Sequence, residues 1–247
     1  MKRLFLISSF FLLTVTVSIE VQAQTFISVE GASAWQSRND QRIPGDTGTD
    51  FSIADFGKGP LPTYRIYVGH IWNKRHELRA LYAPFETELT GRFDRAVLFL
   101  GTTFASGVDT QAYYKFNSYR LTYAYHFDKV GEWEWALGFT GKIRDAEVRL
   151  IQGSLRESKS NIGFVPLLNL QVLRTLSASW LFRFDVDGLA APQGRAVDAA
   201  VLLEYLFAGP NGRIFAGYRT VEGGADNKEV YNFAWVHYAT LGLRGEF

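Results

Sequence analysis

Long stretches of this chain alternate large apolar residues with small or polar ones at a period of two. The pattern runs through Tyr64–Trp72, Tyr119–Phe127, Trp133–Lys142, Trp180–Asp187 and Val197–Tyr205. Successive side chains of a β-strand point to opposite faces, whereas a helix repeats every 3.6 residues. The alternation therefore predicts an all-β fold whose sheet has one apolar face and one face of glycine, alanine, threonine and charged residues.

The N-terminus forms a separate segment. Two basic residues precede an apolar run, Leu4–Val17, and Val21 and Ala23 then supply apolar and small residues at the two positions that a signal peptidase reads. This order is typical of a secretory signal peptide, and the run is shorter than the roughly 20 residues that a membrane anchor needs. We predict a cleaved signal peptide, residues 1–23, and a single exported domain, residues 24–247.

Charge and cysteine content exclude several functions. Cleavage after residue 23 would remove Lys2, Arg3 and Glu20 and leave 24 basic and 24 acidic residues. A neutral chain lacks the concentrated positive charge of nucleic-acid binders, so we expect no nucleic-acid partner. The absence of cysteine excludes disulfides, thiolate catalysis and thiolate-bound metals.

The six tryptophans fall near predicted strand ends, on the apolar parity. Indole rings are stabilised where hydrocarbon meets lipid headgroups, whereas a soluble core more naturally holds them in mid-strand. We therefore predict a closed transmembrane β-barrel with a lipid-facing apolar parity and a polar lumen, rather than a soluble β-protein. The predicted membrane girdle is Trp72, Trp133, Trp135 and Trp180 at one end, and Trp35 and Trp235 at the other.

The last dozen residues carry a resemblance. Trp235, His237, Ala239, Leu241 and Leu243 share the parity of the terminal Phe247. This resembles the final strand of bacterial outer-membrane barrels, in which the terminal phenylalanine acts as an assembly signal.

The resemblance implies an outer-membrane location with both termini periplasmic. It also implies a barrel-assembly machinery as partner, and lipids and lipopolysaccharide as surroundings; it does not indicate an oligomeric state. The segments Tyr114–Arg120 and Gly223–Asn227 look like signatures of an uncharacterised family of such barrels, which implies fold and location only.

Turn signals divide the chain into an even number of strands, as a single-chain, up-and-down antiparallel barrel requires. The longest predicted loops are Ser37–Pro60 and Leu89–Gln111, and an apolar run in the second, Ala96–Phe104, leaves eight or twelve strands as alternatives to ten. The predicted strands are 25–36, 61–73, 76–88, 112–128, 132–150, 160–174, 179–190, 195–208, 212–222 and 230–247.

The parity directs charges of both signs into the lumen. Opposed charges in a narrow barrel are expected to pair, because an unpaired charge in a confined site is costly. We favour a salt-bridged plug over a porin-like, narrow polar pore, since about ten strands leave little free bore. The predicted lumen network is Arg65, Glu77, Arg79, Arg120, Glu134, Lys142, Arg144, Arg183, Asp185, Asp187, Asp198, Glu204 and Arg219.

A second group of charges, Arg195, Glu222, Asp226 and Glu229, is predicted at the extracellular mouth. Paired carboxylates can activate water or hold a divalent cation, but solvated loop acids and structural Arg–Asp pairs have the same sequence pattern. We favour the structural interpretation and predict no metal and no cofactor.

Two other functions stay open. Barrel proteases use a histidine at the mouth, but His70, His76 and His126 lie near predicted periplasmic turns. Lipid A deacylases of small barrels present histidine and serine two residues apart on the lipid face. Here Ala239 stands where His237 would need a serine, so we expect no catalytic residues. A receptor or adhesin that acts through the two long loops is the other alternative.

Overall fold

The computed structural model describes residues 23–207 and 211–247, and it is a closed antiparallel barrel of ten strands. We call these ten wall strands staves, because one of them consists of two shorter strands. Neighbouring staves are consecutive in the chain, and the barrel closes where the first strand pairs with the last. The predicted up-and-down fold and the number ten are confirmed. The predicted signal peptide lies outside the described residues, except for Ala23. No helix in the described part of the chain is long and apolar enough to cross a membrane.

The strands are, in chain order, β1 (Ala23–Arg42), β2 (Phe51–Ser52), β3 (Leu61–Trp72), β4 (His76–Ala83), β5 (Glu86–Arg92), β6 (Val97–Phe99), β7 (Thr102–Phe104), β8 (Asp109–His126), β9 (Trp133–Gln152), β10 (Leu155–Thr175), β11 (Trp180–Ala191), β12 (Gly194–Leu206), β13 (Gly212–Asp226) and β14 (Tyr231–Glu246). One 3₁₀ helix spans Ile53–Phe56. β4 and β5 together form one stave against β8, whereas β2, β6 and β7 lie outside the ten.

The barrel has two unlike ends. The turns at residues 73–75, 127–132 and 176–179 and both ends of the described chain lie together, and Phe247 exchanges two backbone hydrogen bonds with Thr25 there (2.8 and 3.1 Å). We call this the terminal end. Residues 43–60 and 93–108 lie at the other end, which we call the loop end.

Several staves continue past their predicted limits at the loop end. β9 and β10 pair from Trp133 and Arg174 up to Gln152 and Leu155, where Gly153 has a φ of 58° that glycine adopts without penalty. The predicted strands ended at 150 and began again at 160, because residues 156–159 are polar and show no alternation.

The two long loops fold into a cap that packs into the mouth of the barrel. Its buried core joins loop side chains to inward-facing strand residues. The apolar run Ala96–Phe104 forms the hairpin β6–β7 of this cap, so it adds no stave to the barrel. The members of this core include Phe51, Ile53, Phe93, Phe99 and Phe104 from the two long loops, and Ala34, Tyr114, Leu150 and Tyr238 from the barrel strands.

One seam of the barrel wall is incomplete. β10 and β11 pair only from Thr175–Leu181 to Leu168–Gly188. Beyond that point, within the described strands, β10 pairs only with β9 and β11 pairs only with β12. Pro166 lies just past the last pair; proline has no N–H to donate and is typical of strand edges. The wall therefore has a lateral notch between β10 and the β11–β12 hairpin.

Candidate functional site

The middle of the lumen is crossed by an ion-pair cluster centred on Asp198. Arg65 and Arg120 each donate to Asp198 Oδ2 at 2.6 Å, and Arg219 donates to Oδ1 at 2.7 Å. Arg219 also binds Glu30 at 3.0 Å, and Arg120 binds Asp187 at 2.9 Å. These side chains are all nearly inaccessible to solvent. They come from six staves, β1, β3, β8, β11, β12 and β13, so the cluster joins opposite walls.

A second cluster fills the lumen towards the terminal end. Arg79 binds Asp185 at 2.7 Å and lies 3.5 Å from Glu77, which accepts from His126 at 2.9 Å when that ring nitrogen carries the proton. Its other ion pairs are Arg183–Glu204, Arg213–Glu204 (3.2 Å), Arg213–Glu246 (2.9 Å) and Arg244–Glu246 (2.7 Å). Guanidinium and carboxylate groups match in number here, as they do around Asp198, so both clusters are balanced in charge.

The structure places ten of the thirteen predicted lumen residues in these clusters. Of the other three, Glu134 is half exposed at the terminal end and lies 3.3 Å from Lys129. Lys142 and Arg144 lie nearer the loop end and form no ion pair with either cluster within the described chain, although Lys142 stands directly opposite Arg120 on the neighbouring strand. Sequence reasoning missed five network members that the same parity would have found: Glu30, His126, Arg213, Arg244 and Glu246.

Lys142 and Arg144 line a cavity of about 270 Å³ at the notch. Lys142 is 3% exposed, and no carboxylate lies within ion-pair distance of it or of Arg144 among the described residues. Lys142 Nζ lies 4.6 Å from the centre of the Phe116 ring. Arg144 donates one hydrogen bond, to Asn161 (2.6 Å), and its buried Nε has no partner within the described chain.

The predicted mouth cluster is only partly brought together. Arg195 and Glu222 form an ion pair of 2.8 Å on the outside of the wall, and Arg195 packs over the Phe233 ring. Asp226 and Glu229 form no ion pair within the part of the chain that the structure describes. No group of three metal-binding side chains occurs among residues 23–207 and 211–247.

A serine that the sequence analysis did not consider contacts His237 on the outer surface. Ser37 Oγ lies 3.0 Å from His237 Nε2, and Tyr218 Oη lies 2.5 Å from Nδ1. Ser37 stands at a β-bulge between Gln36 and Arg38, where the pairing of β1 with β14 shifts by one residue. The two residues are 200 positions apart, so no local motif could have indicated the contact.

The outer surface of the barrel is apolar, and the predicted girdle residues lie on it. Trp133, Trp135 and Trp180 are exposed near the terminal end, where Trp72 stacks on His76 and is half-buried. Trp35 and Trp235 are exposed towards the loop end, and the side chain of Phe247 is 77% exposed at the terminal end.

The fold is similar to that of bacterial outer-membrane β-barrels. The structure of the outer membrane protease OmpT from Escherichia coli matches with a TM-score of 0.54 at 11% identity, over 95% of this chain and 99% of that one. Ail, the attachment invasion locus protein of Yersinia pestis, matches with a TM-score of 0.44 at 12% identity, over 91% and 99%. No protein-family model and no curated protein sequence matches the chain.

Proposed function

We propose that this protein is an integral outer-membrane barrel whose lumen is closed to solutes by its own ion pairs. The observation that carries the proposal is the contact of Asp198 with three arginines from three different staves. With Glu30 and Asp187 they bridge the lumen from wall to wall. Such a cluster holds the barrel rigid and leaves no continuous polar path for a solute.

The surface supports the membrane placement. Large side chains on the outward parity are exposed, such as Val29, Val68, Leu121 and Phe139, and aromatic rings lie near both ends of this apolar surface. Exposure of such residues in water would be unfavourable, whereas lipid hydrocarbon accommodates them. We place the terminal end in the periplasm and the loop end outside the cell, since the two long loops, residues 43–60 and 93–108, are at the loop end and long loops are typical of the extracellular side.

Single-channel recording in planar bilayers tests the closed lumen. We expect no steady conductance from the intact protein, because the central cluster fills the bore. The paired variant Arg65→Ala with Asp198→Ala removes one cation and one anion, and we expect it to produce steady current steps. The matched control Arg195→Ala with Glu222→Ala removes an ion pair from the outside of the wall and should stay silent. Steady current from the unaltered barrel contradicts the proposal.

The contact of Ser37 with His237 favours a second candidate function, hydrolysis of lipid esters at the membrane surface. A neutral His237 with its proton on Nδ1 can donate to Tyr218 and accept the Ser37 proton at Nε2. In such a reaction Ser37 Oγ would bond to the ester carbonyl carbon, the alkoxy group would leave with the proton from His237, and water would release the acid.

Release of fatty acid from phospholipid and from lipid A by the protein in detergent tests this candidate. Ser37→Ala and His237→Ala should each reduce the rate by at least about a hundredfold if the dyad acts as a unit. Ser33→Ala is the matched control, because Ser33 lies on the outer face of the same strand, opposite Ala239. Equal rates in Ser37→Ala and Ser33→Ala, or no release by any form, exclude the hydrolase.

A further inference from the structure

We propose that the lateral notch between β10 and the β11–β12 hairpin binds a long-chain fatty acid, with the carboxylate held by Lys142 and Arg144. The inference rests on the placement of the barrel in a membrane. It does not depend on whether the lumen conducts.

The notch opens at the depth of the lipid. Its edges carry exposed apolar side chains: Ile162 and Phe164 are 74% and 67% exposed on β10, and Leu189 is 39% exposed on β11. A tilted strand rises by about 2.5 Å per residue along the barrel axis, so Leu189 lies roughly 23 Å from the level of Trp180. This distance is within the ~25 Å height of the apolar band of such barrels. A ligand can therefore enter from the hydrocarbon without crossing water.

The cavity behind the notch is mainly apolar but positively charged at its inner wall. Phe116, Val165 and Leu189 supply apolar surface. Among the described residues that line the cavity, Lys142 and Arg144 are the only charged ones on the inward parity. The remaining charged lining groups, Arg195 and Glu222, neutralise each other. Gly163 leaves room for the guanidinium, because a Cβ there would lie 3.3 Å from Arg144 Nη2. A buried cation without a counter-ion is unfavourable. The binding free energy of an anion is therefore more favourable in this cavity than at a site whose cations are already paired.

Size and charge together select the ligand. A volume of about 270 Å³ lies near the lower limit of small-ligand pockets, which admits one acyl chain and excludes the several chains and sugars of lipopolysaccharide. A carboxylate matches the planar donor pair of a guanidinium, and the buried Nε of Arg144 lacks a hydrogen-bond partner within the described chain. The first carbons of the chain would pack against Phe116 and Val165, and the rest would project through the notch into the lipid.

Native mass spectrometry tests the site. The full-length barrel is mixed with dodecanoate in non-ionic detergent, and the detergent is removed in the spectrometer. We expect a single dodecanoate adduct. Lys142→Gln and Arg144→Gln should each weaken binding by about tenfold, as is typical for loss of one charge-assisted hydrogen bond, whereas Lys142→Arg should retain it. Ala196→Trp fills the cavity and keeps both cations, so it should abolish the adduct altogether. Heat-modifiable migration on a detergent gel shows that each variant is folded.

Two controls make the result decisive. Lys115→Gln removes a lysine that is paired with Asp145 outside the cavity, so binding should not change. Neutral monododecanoylglycerol should bind at least tenfold more weakly than dodecanoate, and acetate should not bind. Equal loss in Lys115→Gln, equal binding of the neutral lipid, or binding of acetate overturns the proposal.

Dodecyl phosphate tests the identity of the headgroup. Tenfold tighter binding of dodecyl phosphate than of dodecanoate overturns the assignment to a fatty acid and indicates a phosphate headgroup. This experiment does not measure conductance. A negative result therefore does not bear on the proposed closed lumen, which single-channel recording tests separately.

Discussion

From the middle of the barrel to its terminal end, every buried lumen guanidinium of the described chain contacts a carboxylate, whereas nearer the loop end Lys142 and Arg144 contact none. The two regions use the same residue types on the same parity. They differ in balance: the first has matched charges and a complete wall, and the second has surplus positive charge beside a notch. Charge pairing thus distinguishes the region that we propose closes the lumen from the region that we propose binds a fatty acid.

The largest expected effect comes from breaking the balanced region. Asp198→Ala leaves Arg65, Arg120 and Arg219 without their shared counter-ion in a buried site, and loss of one partner from a buried ion pair costs about 3–5 kcal/mol. We expect the free energy of unfolding, measured by urea titration in detergent, to fall by that amount. A loss below about 1 kcal/mol would show that water screens the cluster.

The matching change in the unbalanced region should have the opposite sign. Lys142→Met removes a desolvated cation that has no counter-ion, so we expect the delipidated barrel to gain about 1 kcal/mol of unfolding free energy in the same titration. Lys115→Met, which breaks an ion pair of 2.8 Å with Asp145, is the control and should give a small loss. If Lys142→Met is destabilising instead, the lysine has a partner and the contrast between the two regions fails.

The smallest effect is expected at the ion pair on the outside of the wall. Arg195 is about half exposed and its partner Glu222 is partly buried, and exposed pairs contribute below about 1 kcal/mol. Arg195→Ala should therefore change the midpoint of thermal unfolding little. A shift as large as that of Asp198→Ala would mean that this pair, rather than the central cluster, holds the barrel together.

Parity alone predicted that Arg65, Arg120 and Asp198 point into the lumen, because successive side chains of a strand alternate between its two faces. It could not predict which of them meet, since a contact across the lumen depends on stagger between strands far apart in sequence. The Ser37–His237 contact escaped prediction for a further reason: Ser37 was assigned to the first long loop, whereas β1 continues through it to Arg42.

The notch could not be predicted from alternation, because the period of two continues through Phe164 and Leu189 although the pairing of their strands has ended. Proline at position 166 was the one local signal, and proline is also found at bulges. The cap escaped prediction because its core joins residues that are close only when the barrel is closed.

The cap has a consequence for the order of folding. Loop residues such as Phe99 and Phe104 complete a core whose other half comes from β1, β8, β9 and β14. These strands meet around the mouth only after β1 has paired with β14. The cap therefore has only part of its packing surface until the barrel is closed. We expect burial of the loops to follow closure, so resistance of the cap to protease would mark a closed barrel.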